Sequence, residues 1–203
     1  MARPNGPPLE PHHVLARTQE DRLDAQQKCC ASAERNAAHR QDFLRQLRQI
    51  APHHRVYVDE AGVDDTLCYP YGWSPRNSRC CGQRLGHRIT RVAMAAAWCG
   101  GAVLAPMTFE GYCDANLIEA WVAHQLVTEV RAGQTVILDN ASFHRIEPLR
   151  RLLEQVDCSV RPLPPYSPDL NAIEPLWNQI KHKIMLDDRP HQSFRHKVEA
   201  AFV

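Results

Sequence analysis

The chain has 203 residues, 44% of them hydrophobic and 23% charged, with a formal net charge of +1; this suits one domain with a buried core plus an appendage, and a second full domain is not expected. No apolar run is long enough to span a bilayer as a helix, and MARPNGPPLEPHHVLARTQEDR lacks the apolar centre of a secretory signal, so no membrane partner and a cytoplasmic setting are expected. A near-neutral balance neither proposes nor excludes a nucleic-acid partner, because phosphate contacts depend on local clustering.

Residues 1–50 are expected to form a tail and a helical linker, with the folded domain over 51–203. The first thirteen residues, rich in proline and polar side chains, predict a disordered tail. From Val14 to Ile50 there is no Gly or Pro, and Ala38, Phe43, Leu44, Leu47 and Ile50 fall near a helical repeat, so a helix is predicted to end before Pro52. HRVYVDEAG then predicts a short strand closed by its acidic residues and glycine, with Asp59 at its C-terminal end. Residues 60–88, with the turn signals of YPYGWSPRNS, predict an irregular insertion.

ITRVAMAAAW and AVLAPMTF flank CGG and predict a β-hairpin. DANLIEAWVAHQLVTEVRAG predicts a helix with Asp114 as N-cap, an apolar face, and Gly133 beyond its end. TVILDN predicts a buried strand ending at Asp139, IEPLRRLLEQV a helix, CSVRPL a strand, and AIEPLWNQIKHKIM a helix. An antiparallel start followed by two strands reached through helices implies an α/β fold: a mixed five-stranded sheet flanked by helices, with an N-terminal helical extension.

Asp59 and Asp139 both close apolar strands, in VYVDE and VILDN. Side by side on parallel neighbours they would repel, a cost that a hard divalent cation with oxygen ligands offsets. Either aspartate taken singly also reads as a turn former. Glu174 has a structural reading too, since Asn171 and Glu174 match an N-x-x-E capping box. The prolines at 162, 164, 165 and 168 restrict the backbone and predict a stiff lead-in that sets the register of the helix carrying Glu174. Glu60, by strand alternation, is expected on the face opposite Asp59 and receives no catalytic role.

Eight cysteines include two adjacent pairs, Cys29–Cys30 and Cys80–Cys81, but no C-x-x-C, so structural zinc is not expected and the thiols are read as reduced and mostly partly buried. RNSRCCGQRLGHRITR, residues 76–91, holds Arg76, Arg79, Arg84, Arg88 and Arg91 without an acidic residue. It reads either as a DNA-phosphate contact or as a solvated basic loop.

VYVDEAG, VILDNASFH and LPPYSPDLNAIEPLWNQIK together strongly resemble the three catalytic blocks of bacterial insertion-sequence transposases of the mariner superfamily. Thirty-four residues stand between Asp139 and Glu174, the separation characteristic of that group, and the resemblance extends over residues 34–185. It implies an RNase H-like, integrase-type fold and a catalytic triad of Asp59, Asp139 and Glu174 holding two Mg²⁺ or Mn²⁺ ions, with Asp59 between them. It also implies cleavage and strand transfer at transposon ends, with transposon-end and target duplex DNA as partners and a homodimer in the active complex. Asn140 and His144 are then expected to support Asp139. Full-length relatives carry an N-terminal helix-turn-helix that reads the transposon ends. Only about fifty residues precede Asp59 here, so a separate recognition partner is expected, or a truncated chain that binds DNA or pairs with intact transposase. An RNase H-like nuclease of other specificity shares the carboxylates but does not predict PYSPDLNAIE.

Overall fold

The computed structural model describes residues 35–68, 72–82, 86–87, 90–141 and 144–203. The expected tail, the linker helix before residue 35, the Cys29–Cys30 pair, and Arg84 and Arg88 lie outside the described residues.

Helix α1 (Ala37–Arg48) starts where the Asn36 side chain accepts from the His39 amide, and it buries Phe43 and Leu47. A single 3₁₀ turn at Pro52–His54 leads into β1 (Arg55–Asp64). Strands β2 (Arg91–Cys99) and β3 (Ala102–Phe109) form the expected hairpin. Its two-residue turn, Gly100–Gly101, has positive φ at both positions, a backbone that side chains with a Cβ seldom adopt.

Helix α2 (Ala115–Trp121) is capped by Asp114, whose carboxylate accepts from the Leu117 amide. A π-helical stretch, Val122–Leu126, joins it to α3 (Val127–Glu129). Strand β4 (Thr135–Leu138), helix α4 (Ile146–Glu154), strand β5 (Ser159–Pro162) and helix α5 (Glu174–Leu186) follow. The sequence reading missed one further helix, α6 (Phe194–Ala200), begun by Ser193 accepting from the His196 amide.

The strands form one five-stranded sheet in the order β3-β2-β1-β4-β5. The β1–β2 and β2–β3 pairs are antiparallel, and the β1–β4 and β4–β5 pairs are parallel. Side chains alternate across the sheet, so its two faces carry two cores. Tyr57, Met94, Ala96 and Ile137 pack with Phe43, Trp177, Ile180, Ile184 and Val198 on the side of α1, α5 and α6. Val56, Val58, Val136 and Leu138 pack with Ile118, Trp121, Leu126, Leu149 and Leu153 on the side of α2 and α4. Each such side chain stabilises the fold by roughly 1.5–3 kcal/mol when fully buried. Trp121, almost wholly buried, donates its indole N–H to the Ala105 carbonyl at 2.8 Å, so its polar atom is not stranded.

Two local expectations change. Strand β1 does not end at Asp59 but continues to Asp64, because β2 pairs with it over its whole later half, up to Asp64↔Arg91. Gly62 is therefore a strand residue, not a turn: a Cβ there would lie 2.9 Å from the Arg91 guanidinium. Among the described cysteines, Cys68, Cys80 and Cys81 are exposed and only Cys158 is buried, so the thiols are less sheltered than expected.

Candidate active site

The cleft is built where two parallel strands part. Strands β1 and β4 pair only over Arg55–Tyr57 and Thr135–Ile137, so Asp59 and Asp139 both lie just past the last paired residues. Asp59 shares the sheet face of Tyr57, toward α5, and the Trp177 indole N–H donates to its Oδ2 at 3.0 Å. Burial pushes the Asp59 carboxyl up to about 7, and the nearby Glu60 and Glu174 carboxylates push the same way against the Trp177 hydrogen bond.

Asp139 follows β4. Its Oδ1 accepts from the Ala141 amide at 3.0 Å and lies 2.9 Å from His144 Nδ1. The hydrogen bond from His144 holds the Asp139 carboxyl below its ordinary range, outweighing burial. His144 is itself buried, which disfavours its charged form, but hydrogen bonds to Asp139 and Glu60 prevail and push it up to about 10.

Glu174 is the first residue of α5, followed by Pro175, where a missing N–H costs nothing. The capping-box reading is not realised. Ile173 occupies the cap position without a side-chain bond, and Asn171 instead directs its Nδ2 to the Val58 carbonyl at 3.5 Å. The lead-in is held at several points. The Leu163 amide donates to the Leu138 carbonyl at 2.8 Å, and Asn140 Nδ2 donates to the Leu163 carbonyl. Asn140 thus ties the end of β4 to the proline segment rather than contacting the Asp139 carboxylate. Tyr166 sits at a positive φ of 53° and stays largely exposed. Arg35 bonds its carbonyl, and Arg35 and Arg40 both pair with Asp169 in the same loop.

Asp59, Asp139 and Glu174 line one open cleft of about 540 Å³, together with Asn140, Ala141, Asn171 and the segment from Leu163 to Pro168. Among the described residues, no three His, Cys, Asp or Glu side chains stand together at metal-ligating distance. The chemistry of the donors nevertheless fits a hard divalent cation. All three are carboxylates, Asp59 is raised mainly by burial and in part by Glu60 and Glu174, and the buried Oδ1 of Asn171 in the cleft wall has no hydrogen-bond partner.

Of the five arginines expected to meet DNA, Arg76 and Arg79 are exposed in the loop after β1 and Arg91 is exposed at the start of β2; none of these three lines the cleft. Two contributors escaped sequence reasoning. Trp177 lies one helical turn after Glu174 on the buried face, a spacing that could have marked it. Glu60, given no role, contacts His144 at 3.0 Å from the opposite face of β1, a meeting that only the tertiary fold reveals.

The fold has known counterparts. Solved structures of similar fold include the Mos1 strand transfer complex (TM-score 0.66, 17% identity, 89% of this chain and 57% of that chain). The Mos1 transposase paired-end complex with left transposon end (TM-score 0.62, 17% identity, 86% and 56%) is another. So is the Mos1 mariner paired end complex with Mn (TM-score 0.61, 14% identity, 90% and 65%). The present chain spans little more than half the length of the first two transposase chains. No curated protein matches it. The mixed sheet with helices on both faces is the RNase H-like fold of those transposases. A family model described as DDE superfamily endonuclease matches residues 54–196, most of the sequence, and the chain therefore belongs to the DDE superfamily of endonucleases.

Proposed function

We propose that this chain is the catalytic domain, residues 51–203, of a mariner-type insertion-sequence transposase that cuts DNA at transposon ends and joins the freed 3′ ends to target DNA. The observation that carries the reading is the meeting in one cleft of Asp59, Asp139 and Glu174, brought from two strand ends and a helix start. Asp59, Asp139 and Glu174 would hold two divalent cations, Mg²⁺ or Mn²⁺, which supply activation of the attacking oxygen and neutralisation of charge at the phosphate.

The protein's own part is placement. Trp177 holds Asp59 by one oxygen, and the His144 and Ala141 donors hold Asp139. The bonds at Leu163 and Asn171 fix the approach to α5, so Glu174 is presented from a defined first turn. Leu163, Pro164 and Pro165 form an apolar part of the cleft wall. Duplex DNA is the substrate of this reading, and the exposed Arg76, Arg79 and Arg91 contribute phosphate contacts. A homodimer holds both ends for joining. The related Mos1 chains, solved as complexes with a transposon end and after strand transfer, support DNA as partner.

The test is metal-dependent nicking and joining of duplex DNA bearing the element's terminal repeats. Activity in Mg²⁺ or Mn²⁺ that falls more than ~100-fold in Asp139→Ala, beyond the usual loss from an outer partner, supports the reading. A second reading, a chain that binds DNA or pairs with intact transposase without cutting, draws on the absence of a converged carboxylate cluster among the described residues. Folded protein that binds DNA but stays inactive with a helix-turn-helix partner added would favour it.

A further inference from the structure

Glu60 and Asp59 are neighbours on β1 and face opposite sides of the sheet, yet both are connected to the cleft. Glu60 reaches it indirectly. Its Oε1 lies 3.0 Å from His144 Nε2, and His144 Nδ1 lies 2.9 Å from Asp139 Oδ1 and 3.2 Å from the Asp139 carbonyl. The His144 side chain has no solvent exposure and that of Glu60 only 13%, whereas that of Asp139 is 46% exposed toward solvent. Two shielded groups thus stand behind one accessible carboxylate.

An imidazole is a rigid plane with a nitrogen on either side, so an acceptor on Nε2 sets where the Nδ1 donor points. With Glu60 in place, the ring is anchored from behind and its front donor meets Asp139. Among the described residues the donors to the Asp139 carboxylate both meet Oδ1, one from His144 and one from the Ala141 amide. The carboxylate is therefore steered through one oxygen, and the other is the one presented to a ligand. Glu60 arrives from β1 and Asp139 from the end of β4, where the strands no longer pair. The bridge consequently spans the gap that ladder hydrogen bonds leave open.

We propose that Glu60 is a positioning residue for Asp139, acting through His144 to fix the orientation of a carboxylate that binds a divalent cation. The inference rests on the reading of Asp139 as a cation ligand given above. Glu60 itself touches neither cation nor DNA. Its effect on Asp139 passes through the imidazole, which separates it from an ion pair that merely holds the sheet to its flanking loop.

Mn²⁺ binding to the folded chain, followed by the electron paramagnetic resonance of free Mn²⁺, tests this without reference to turnover. Glu60→Ala is expected to weaken Mn²⁺ binding about tenfold, the lower end of losses for outer partners of metal ligands. His144→Ala should do the same, and the double variant should bind no more weakly than His144→Ala alone, because the second change removes nothing further. Glu60→Gln, whose amide oxygen still accepts from Nε2, should bind as the unmodified chain does. If Glu60→Ala loses its circular dichroism signal, Glu60→Met keeps the length without the acceptor and carries the same expectation. The inference is overturned if the residue-60 variant lacking an acceptor binds normally while Asp139→Ala binds weakly, or if the losses at residues 60 and 144 multiply. Normal Mn²⁺ binding by Asp139→Ala would instead remove the underlying reading of the site.

Discussion

The two edges of β1 are built differently. Toward β2 its residues pair continuously from Tyr57 to Asp64, whereas toward β4 pairing stops after Tyr57. The first edge is ordinary sheet, backed by alanines and Met94 with no solvent exposure. Past the end of the second, side chains take over the connections: Asn171 to Val58, Trp177 to Asp59, and Glu60 to His144. Stability resides where the ladder is complete, and a cleft able to hold something forms where it is not.

That contrast can be challenged from either edge. The largest expected change in stability is at Met94, on the complete side. Met94→Ala should cost about 2–5 kcal/mol by urea denaturation, yet leave the proposed DNA cleavage per folded molecule as it was. Cleavage lost at full stability would break the comparison. The next tests the open side in the metal-free protein, with chelator present. The Asp59 carboxyl is raised from 3.8 to about 7 in the folded state, so folded protein holds a proton that the unfolded chain has released. The contribution of Asp59 to stability, read as the difference between the unmodified chain and Asp59→Asn, should be greatest below pH ~4 and decline as pH rises to ~7, by on the order of 2 kcal/mol after allowing for partial exposure. A slope of the opposite sign in that difference would show that another group governs the edge. Smallest is Asn140→Ala, which removes the bond joining the end of β4 to Leu163. A loss of about 1 kcal/mol is expected, with thermal unfolding as the readout.

Most of the sheet was legible because each element carries its own local signal. The apolar run TVIL, the glycine pair after Cys99 and the Asp114 cap all produced the elements they announced. The extent of β1 was not legible. Acidic residues and a glycine read locally as a stop, while a partner strand beginning at Arg91 carries the strand through them. The same limitation hid the roles of Asn171 and Glu60. N-x-x-E is a sound local match to a capping box, but Asn171 instead reaches toward β1 at Val58. Strand alternation placed Glu60 on the far face of the sheet, yet nothing local said that His144 would be waiting there.

The order in which these segments occur along the chain has a bearing on synthesis. Strands β2 and β3 form a hairpin of short-range contacts, while β1 reaches β2 across residues 65–90, and all three precede β4 in the chain. Strand β4 must then dock on the free edge of β1 and β5 beyond it, and α5 emerges only afterwards. A nascent chain can thus possess much of its sheet and both aspartates while still lacking the wall and the glutamate that complete the cleft. Partly made copies, or copies clipped before α5, hold the strands of the sheet and no finished site.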